Sequence, residues 1–377
     1  MSGPYDYVPP DYWLLDTKAG GAYGFNTETS PGPAVPPLEG LRTFIPEDKL
    51  WPMNEVWGFH AGGGQFKTID LFTHALEMRY GKAKDAADFA WKSQAMTYEG
   101  QRAMFEAYGR NKYKSTGIIQ WMLNNAWPSL IWHLYSYDLR PAGGYFGSKI
   151  ALEPIHVQYS YDDRSVAVVN STQKEQTGLK VVAKLYDTSG ALKFSREAQL
   201  GVAADGVAKS IAIPEPNGAT SAYFLGLHLF SSSGELLSRN FYWLSTKPDV
   251  LDYAKTEWYY TPQTEFADFT ALQDLPKASV KATLHPATGT ERDAAFRIVL
   301  ENTGKSVAFL TRLRLVKGRE REEILPVFWQ DNYISLLPGE TREVLVSIRK
   351  SDLGSAKPAL LVDGFNLAPI SIHEAGK

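Results

Sequence analysis

Between Gln65 and Tyr80 the apolar residues Phe66, Ile69, Phe72, Leu76 and Tyr80 recur at steps of three and four, and Gly81 follows them. Side chains at that spacing share one face of a helix, and a glycine just past the end takes the left-handed backbone of a C-cap, so the pattern predicts an amphipathic helix. A second helix begins near Asp85 and runs to about Tyr108, with Trp91, Ala95, Tyr98, Arg102 and Phe105 on one stripe and Gly109 at its end. Two short apolar runs accompany these helices, Ala22-Tyr23-Gly24-Phe25 and Gly117-Ile118-Ile119-Gln120-Trp121-Met122. Each reads as a buried parallel strand whose C-terminal end opens into a functional loop. Strand, loop, helices and strand make residues 1–150 an α/β unit.

From Ile155 the texture changes to short apolar or alternating runs, such as Val157 to Tyr161, Leu179 to Asp187 and Ala222 to Phe230. Turn signals separate them: Asp162-Asp163, Thr188-Ser189-Gly190, Pro214-Glu215-Pro216-Asn217-Gly218 and Ser232-Ser233-Gly234. About seven strands in about 100 residues argue for an immunoglobulin-like β-sandwich over residues 151–246. Residues 247–276 are rich in Pro, Tyr and Thr without clean periodicity and read as a connector. A second β-rich set follows over residues 277–377, with strands at Ala278–Leu284, Ala294–Leu300, Ala308–Val316, Glu343–Ile348, Ala359–Val362 and Ile370–His373. Pro338-Gly339-Glu340 supplies a turn before the Glu343 run, and a second sandwich is expected.

Composition narrows the chemistry. The 377 residues carry a net charge of -3, which supplies no field for nucleic acid or an anionic membrane. No window reaches the apolar length of a spanning helix. Cys is absent, which removes disulfides, thiolate metal sites and thiol nucleophiles but leaves the compartment open. The opening Met1-Ser2-Gly3-Pro4-Tyr5-Asp6-Tyr7 has neither the basic nor the apolar region of a signal peptide, and its aromatic, Pro-rich start reads as that of a shortened chain. The 7 His residues show no metal-ligand spacing, and no G-x-S-x-G elbow offers a serine nucleophile. Aromatic residues make up 13% of the chain, with 10 Trp and 20 Tyr, and their flat faces suit sugars as well as cores.

Three clusters remain. Glu28 follows an apolar strand and precedes Ser30-Pro31-Gly32-Pro33, whose prolines stiffen the loop; it reads as a nucleophilic carboxylate or as a solvated loop glutamate. Gln120 to Pro128 places Trp121, Asn124 and Trp127 at a strand end, where amides meet hydroxyls and indoles stack on rings, or where tryptophans pack and asparagines turn. Trp51 to Gly64 sets Trp57 and His60 in a glycine-rich loop that lacks the Lys-Ser/Thr of a phosphate loop.

The stretches Gly3 to Pro10, Gly24 to Pro33, Trp51 to Gly64, Gln120 to Tyr137, Gly143-Gly144-Tyr145-Phe146-Gly147, Glu153 to Asn170 and Asp331 to Glu340 together resemble the C-terminal half of glycoside hydrolase family 2. The nearest likeness is to its exo-β-D-glucosaminidases, with β-mannosidases and endo-β-mannosidases as neighbours. The resemblance implies a multidomain fold, the C-terminal portion of a (β/α)8 TIM barrel followed by two immunoglobulin-like β-sandwiches. Gly3 to Val8 would be strand six, Glu28 would stand at the end of strand seven as the nucleophile, and Ile118 to Met122 would be strand eight, with Trp57, His60, Trp121, Asn124 and Trp127 as substrate contacts. A retaining glycosidase needs two carboxyl groups about 5 to 5.5 Å apart. The family's acid/base lies well before the nucleophile, and only 27 residues precede Glu28, so that residue is not expected in the chain. No cofactor or metal is implied. The expected partners are an oligosaccharide of the chitosan or mannoside type and the missing N-terminal part, in a full-length enzyme that is secreted or periplasmic. A β-mannosidase specificity and a non-catalytic carbohydrate-binding or structural module are the alternatives.

Overall fold

The computed structural model describes residues 3–16, 20–62, 68–216, 220–318 and 322–373. Phe66 of the first predicted helix, Gly63-Gly64 of the glycine loop and Asn217-Gly218 of one predicted turn lie outside these. The chain forms two compact units, one of residues 1–136, 142–187 and 191–273, the other of residues 137–141, 188–190 and 274–377.

In the first unit the helices are α1 (Tyr12–Leu15), α2 (Leu38–Leu41), α3 (Glu55–His60), α4 (Thr68–Tyr80), α5 (Ala86–Arg110) and α6 (Gly143–Ala151). Helix α4 buries Ile69, Phe72, Leu76 and Tyr80 and ends at Gly81, whose φ of 78° is the expected C-cap. Helix α5 starts where Asp85 accepts the backbone N–H of Asp88 at 2.8 Å. It departs from the expected single stripe: Trp91 and Phe105 are only half-buried, while Lys92, Gln94, Glu99 and Glu106 are buried along with the stripe's Arg102. Gly109 does not end it, and the helix runs on to Arg110. Helix α6 lies against α5 at backbone distance. A Cβ on Gly147 would sit 2.2 Å from the Tyr98 carbonyl oxygen, so only glycine permits the approach.

The strands β1 (Gly24–Thr29) and β2 (Ser115–Gln120) pair in parallel, as expected, but each is displaced from its apolar run. The buried expectation is corrected: Asn26 and Thr29 are buried, whereas Phe25 is 47% and Ile119 53% exposed, so one face is open. The other edge of β1 is held by the segment at Gly3, whose N–H donates to the Glu28 carbonyl at 2.7 Å while the Ser30 N–H reaches the Pro4 carbonyl at 3.0 Å. These elements make a mixed α/β region.

The first sandwich contains β3 (Ile155–Tyr159), β4 (Ser165–Asn170), β5 (Gln176–Asp187), β6 (Leu192–Val202), β7 (Val207–Ala212), β8 (Ala222–Phe230) and β9 (Leu236–Ser245). Their order is β3-β4-β7 in one sheet and β6-β5-β8-β9 in the other. Val157, Val168, Val181, Leu185, Leu225, Leu227 and Tyr242 fill the space between them. The expected connector carries a short antiparallel pair, β10 (Val250–Leu251) with β11 (Gln263–Glu265).

The second unit holds β12 (Val280–Ala287), β13 (Asp293–Asn302), β14 (Ala308–Lys317), β15 (Glu322–Glu323), β16 (Val327–Trp329), β17 (Ile334–Leu336), β18 (Thr341–Arg349), α7 (Lys350–Leu353), β19 (Pro358–Gly364) and β20 (Leu367–His373). One sheet runs β12-β13-β18-β16 and the other β15-β14-β19-β20, with β17 beside β14. Asn332 clamps the β16–β17 connection by accepting from Leu313 N and donating to Leu313 O, at 2.7 and 2.8 Å. The Asp331-Asn332-Tyr333 stretch therefore does structural work within this Ig-like domain.

A buried polar network joins α5 to the first sandwich. Glu106 Oε1 accepts from His156 Nε2 at 2.9 Å, Asn240 Nδ2 at 2.7 Å and Tyr242 Oη at 2.7 Å. Burial pushes the His156 imidazolium down, but its hydrogen bonds to Glu106 and Glu153 outweigh that and raise the pKa to about 9. A pKa raised on folding adds stability that is complete below the unfolded value near 6.5 and is lost as pH climbs through about 9. The urea midpoint is expected to fall between pH 6.5 and pH 9.5, with about 3 kcal/mol from this group. In His156→Gln that pH dependence should flatten; an unchanged slope would show that His156 is not the titrating group.

Candidate active site

Asn26 pairs with Ile118 and Thr29 with Gln120, so β1 carries an extra residue in the stretch that holds Glu28. A bulge of this kind re-aims a side chain at a strand end. Glu28 thus lies inside the strand, not in the loop after it as the sequence suggested. Its Oε1 accepts a 2.6 Å hydrogen bond from Tyr5 Oη. Its backbone is fixed on both sides: Glu28 N donates to Asn26 Oδ1 at 3.2 Å, and Gly3 N donates to Glu28 O. Asn26 is fully buried and also donates from Nδ2 to Gly3 O at 2.9 Å, tying the two segments together just below the carboxylate.

After the strand, Gly32 turns with φ of 102° against Tyr7, where a Cβ would meet the Tyr7 backbone nitrogen at 2.6 Å. Helix α5 secures the far side of this loop, since Gln94 Nε2 donates to Val35 O at 2.7 Å. The expected stiffness of Ser30 to Pro33 has that origin as well as the prolines.

Tyr5 is itself held. Trp132 Nε1 donates to the Tyr5 carbonyl at 2.7 Å, and the Tyr5 ring makes edge contacts with Trp132 and Trp258 at centroid distances of 6.0 and 5.7 Å. Gln120 Nε2 reaches both Trp132 O and Ser30 Oγ, at 3.2 and 3.4 Å, so β2 is tied to the loop after Glu28. Next to Tyr5, Asp6 is buried, and loss of solvation raises its pKa to about 8 against the pull of the Tyr7 N–H bond.

The other expected site residues separate into three kinds. Trp121 and Trp127 are 42% and 52% exposed, and Asn124 is exposed beside them with Nδ2 on Asn125 O at 3.3 Å. His60 is a buttress: it is buried, its Nδ1 bonds Pro128 O at 2.9 Å, and its ring packs against Phe44, Phe59 and Trp127. Trp57 is corrected from a substrate contact to a core residue. Its indole is 1% exposed and sits edge-on to Trp51 and Phe89, which leaves no face for a ligand. The sequence missed Tyr5, Asn26 and Trp132, although Tyr5 lies in the Gly3 to Pro10 stretch already singled out. Among the described residues no group of three or more His, Cys, Asp or Glu could hold a metal ion, and no helix is long and apolar enough to cross a membrane.

Residues 258–367 match the exo-β-D-glucosaminidase Ig-fold domain family, and residues 162–247 match the mannosidase Ig/CBM-like domain family. An exo-β-D-glucosaminidase from Streptomyces avermitilis is 41% identical over 100% of this chain and 43% of its own length. The crystal structure of the Amycolatopsis orientalis exo-chitosanase CsxA superposes with a TM-score of 0.94 at 38% identity, over 99% of this chain and 45% of that one. The chain corresponds to the C-terminal portion of the exo-β-D-glucosaminidases. It matches the C-terminal portion of these glycoside hydrolase family 2 enzymes and spans about two fifths of the length of the curated relatives. The family borders the β-mannosidases: a mannosylglycoprotein endo-β-mannosidase from Lilium longiflorum is 27% identical over 92% of this chain and 42% of its own length. Variants of the Amycolatopsis exo-glucosaminidase with one glutamate or one aspartate replaced by alanine have been crystallised with PNP-β-D-glucosamine.

Proposed function

We propose that this chain carries the nucleophile of a retaining exo-β-D-glucosaminidase that removes terminal β-linked glucosamine from chitosan oligosaccharides. The observation that carries the reading is the Tyr5–Glu28 pair at 2.6 Å, on a bulged strand end, in a chain that aligns along its whole length with exo-β-D-glucosaminidases. The (β/α)8 barrel is part of the proposal: Gly3 to Val8, β1 and β2 are its sixth, seventh and eighth strands, and residues 1–150 its C-terminal part. The domain limits 151–246, 247–276 and 277–377 go with it.

Glu28 attacks the anomeric carbon as the bond to the leaving oxygen breaks, and a carboxylic acid outside this chain protonates that oxygen. The same acid then deprotonates the water that releases the sugar. Tyr5 holds the attacking carboxylate in one rotamer, so little reorientation is left for the reaction itself. Trp121, Trp127 and Asn124 line the approach from β2 as sugar contacts. His60 acts through Trp127 as a positioning residue. Alone, the chain lacks the acid and turns nothing over.

The mannosidase Ig/CBM-like match over residues 162–247 favours β-mannoside specificity as the second reading, and the ratio of glucosamine to mannose released separates the two. In enzyme that contains this chain and the upstream portion, Glu28→Gln should lower kcat at least about 1,000-fold with the fold intact. Tyr5→Phe should lower kcat/KM about 10- to 100-fold, the worth of a hydrogen bond to a charged group. Unchanged turnover in Glu28→Gln would remove the assignment, and unchanged kcat/KM in Tyr5→Phe would leave the phenol without a role.

A further inference from the structure

Trp258 lies in the stretch whose composition reads as a connector, yet the backbone on either side of it is pinned. Tyr259 O accepts from both Tyr5 N and Asp6 N, at 2.7 and 2.9 Å. Glu257 N donates to Tyr260 O at 2.9 Å, and Thr256 Oγ1 meets Thr261 Oγ1 at 3.1 Å, with Thr261 buried. The Trp258 carbonyl closes on Gly3, where a Cβ would lie 2.5 Å away, and Gly3 is the residue that donates to the Glu28 carbonyl. The indole nevertheless remains 55% exposed, edge-on to Tyr5 at 5.7 Å and 66°. One aromatic ring therefore separates it from the carboxylate that Tyr5 holds.

We infer that Trp258 is a substrate-stacking residue, supplied to the Glu28 site by the segment between the two sandwiches. Its class of ligand is a β-linked glucosamine unit in the chair form, whose substituents are all equatorial and whose faces present axial C–H groups to an indole. A fixed backbone and an indole that stays exposed although it also meets Tyr259 edge-on at 5.3 Å are what such a contact requires, because the ordering cost is met on folding and not on binding. The other aromatic residues expected at the site come from the loop after β2 and from α3. Trp258 comes from the start of the segment that matches the exo-β-D-glucosaminidase Ig-fold family. The inference rests on the reading of Glu28 as the nucleophile.

The test uses the chain itself, labelled with 15N at tryptophan indoles, and titrates in the glucosamine dimer of chitosan. The peak lost in Trp258→Phe identifies Trp258. That resonance is expected to shift together with those of Trp132 or Trp127. Trp258→Ala should weaken binding about tenfold, and Trp258→Phe should retain most of the affinity. Shifts at Trp132 or Trp127 with Trp258 static, and an unchanged Kd in Trp258→Ala, would overturn the inference and leave the site standing. If no indole responds at millimolar dimer, the inference and the site reading fall together.

Discussion

One buried carboxylate holds the first unit together. Glu106, on α5, takes three hydrogen bonds at a single oxygen from His156 on β3 and from Asn240 and Tyr242 on β9. One turn earlier, Arg102 lies 3.9 Å over the Tyr242 ring and donates to Phe241 O at 2.5 Å. Pairs of this kind add little net stability over an apolar packing, but removing one partner strands a charge in the interior. What they fix is orientation. Helix α5 cannot rotate or slide without breaking several charge-assisted bonds, and the same helix carries Gln94 to the loop beyond Glu28. The geometry around the proposed nucleophile is in this sense set by contacts on the sandwich side of the helix.

That arrangement explains which parts were legible. Helix α4 was readable because its apolar residues Ile69, Phe72, Leu76 and Tyr80 are buried, so spacing and burial agree there, Arg79 being the buried charge the spacing did not show. In α5 they disagree: Glu99 and Glu106 are buried because they find partners, Arg79 at 3.0 Å for Glu99, and no hydrophobic periodicity reports that. The sandwich strands announced themselves by alternation and turn residues. The two- and three-residue strands β15, β16 and β17 did not, since their pairing is imposed by neighbours and too short to leave a pattern.

The site shows the same division. Glu28 was singled out by the resemblance of its segment, because its surroundings alone read also as a solvated loop, and its place inside β1 was not legible because Asn26, Thr27, Glu28 and Thr29 are polar and end the apolar run before the strand ends. Tryptophan is ambiguous by nature, equally suited to a core and to a sugar face. Trp57 proved to be core, whereas Trp121 and Trp127 are exposed over about half of their surface. Tyr5 and Trp258 are far apart in sequence, and nothing local marks their rings as neighbours.

The central claim is that Glu28 forms the covalent bond to the sugar. The most direct measurement is to treat the enzyme, this chain joined to the upstream portion, with a 5-fluoro glycosyl fluoride of glucosamine configuration, which slows release of the intermediate, and to map the labelled peptide by mass spectrometry. One adduct is expected, on Glu28 within the peptide spanning Gly24 to Pro33. An adduct on any other residue, or turnover through a pathway that leaves no adduct while inverting the anomeric centre, would contradict it.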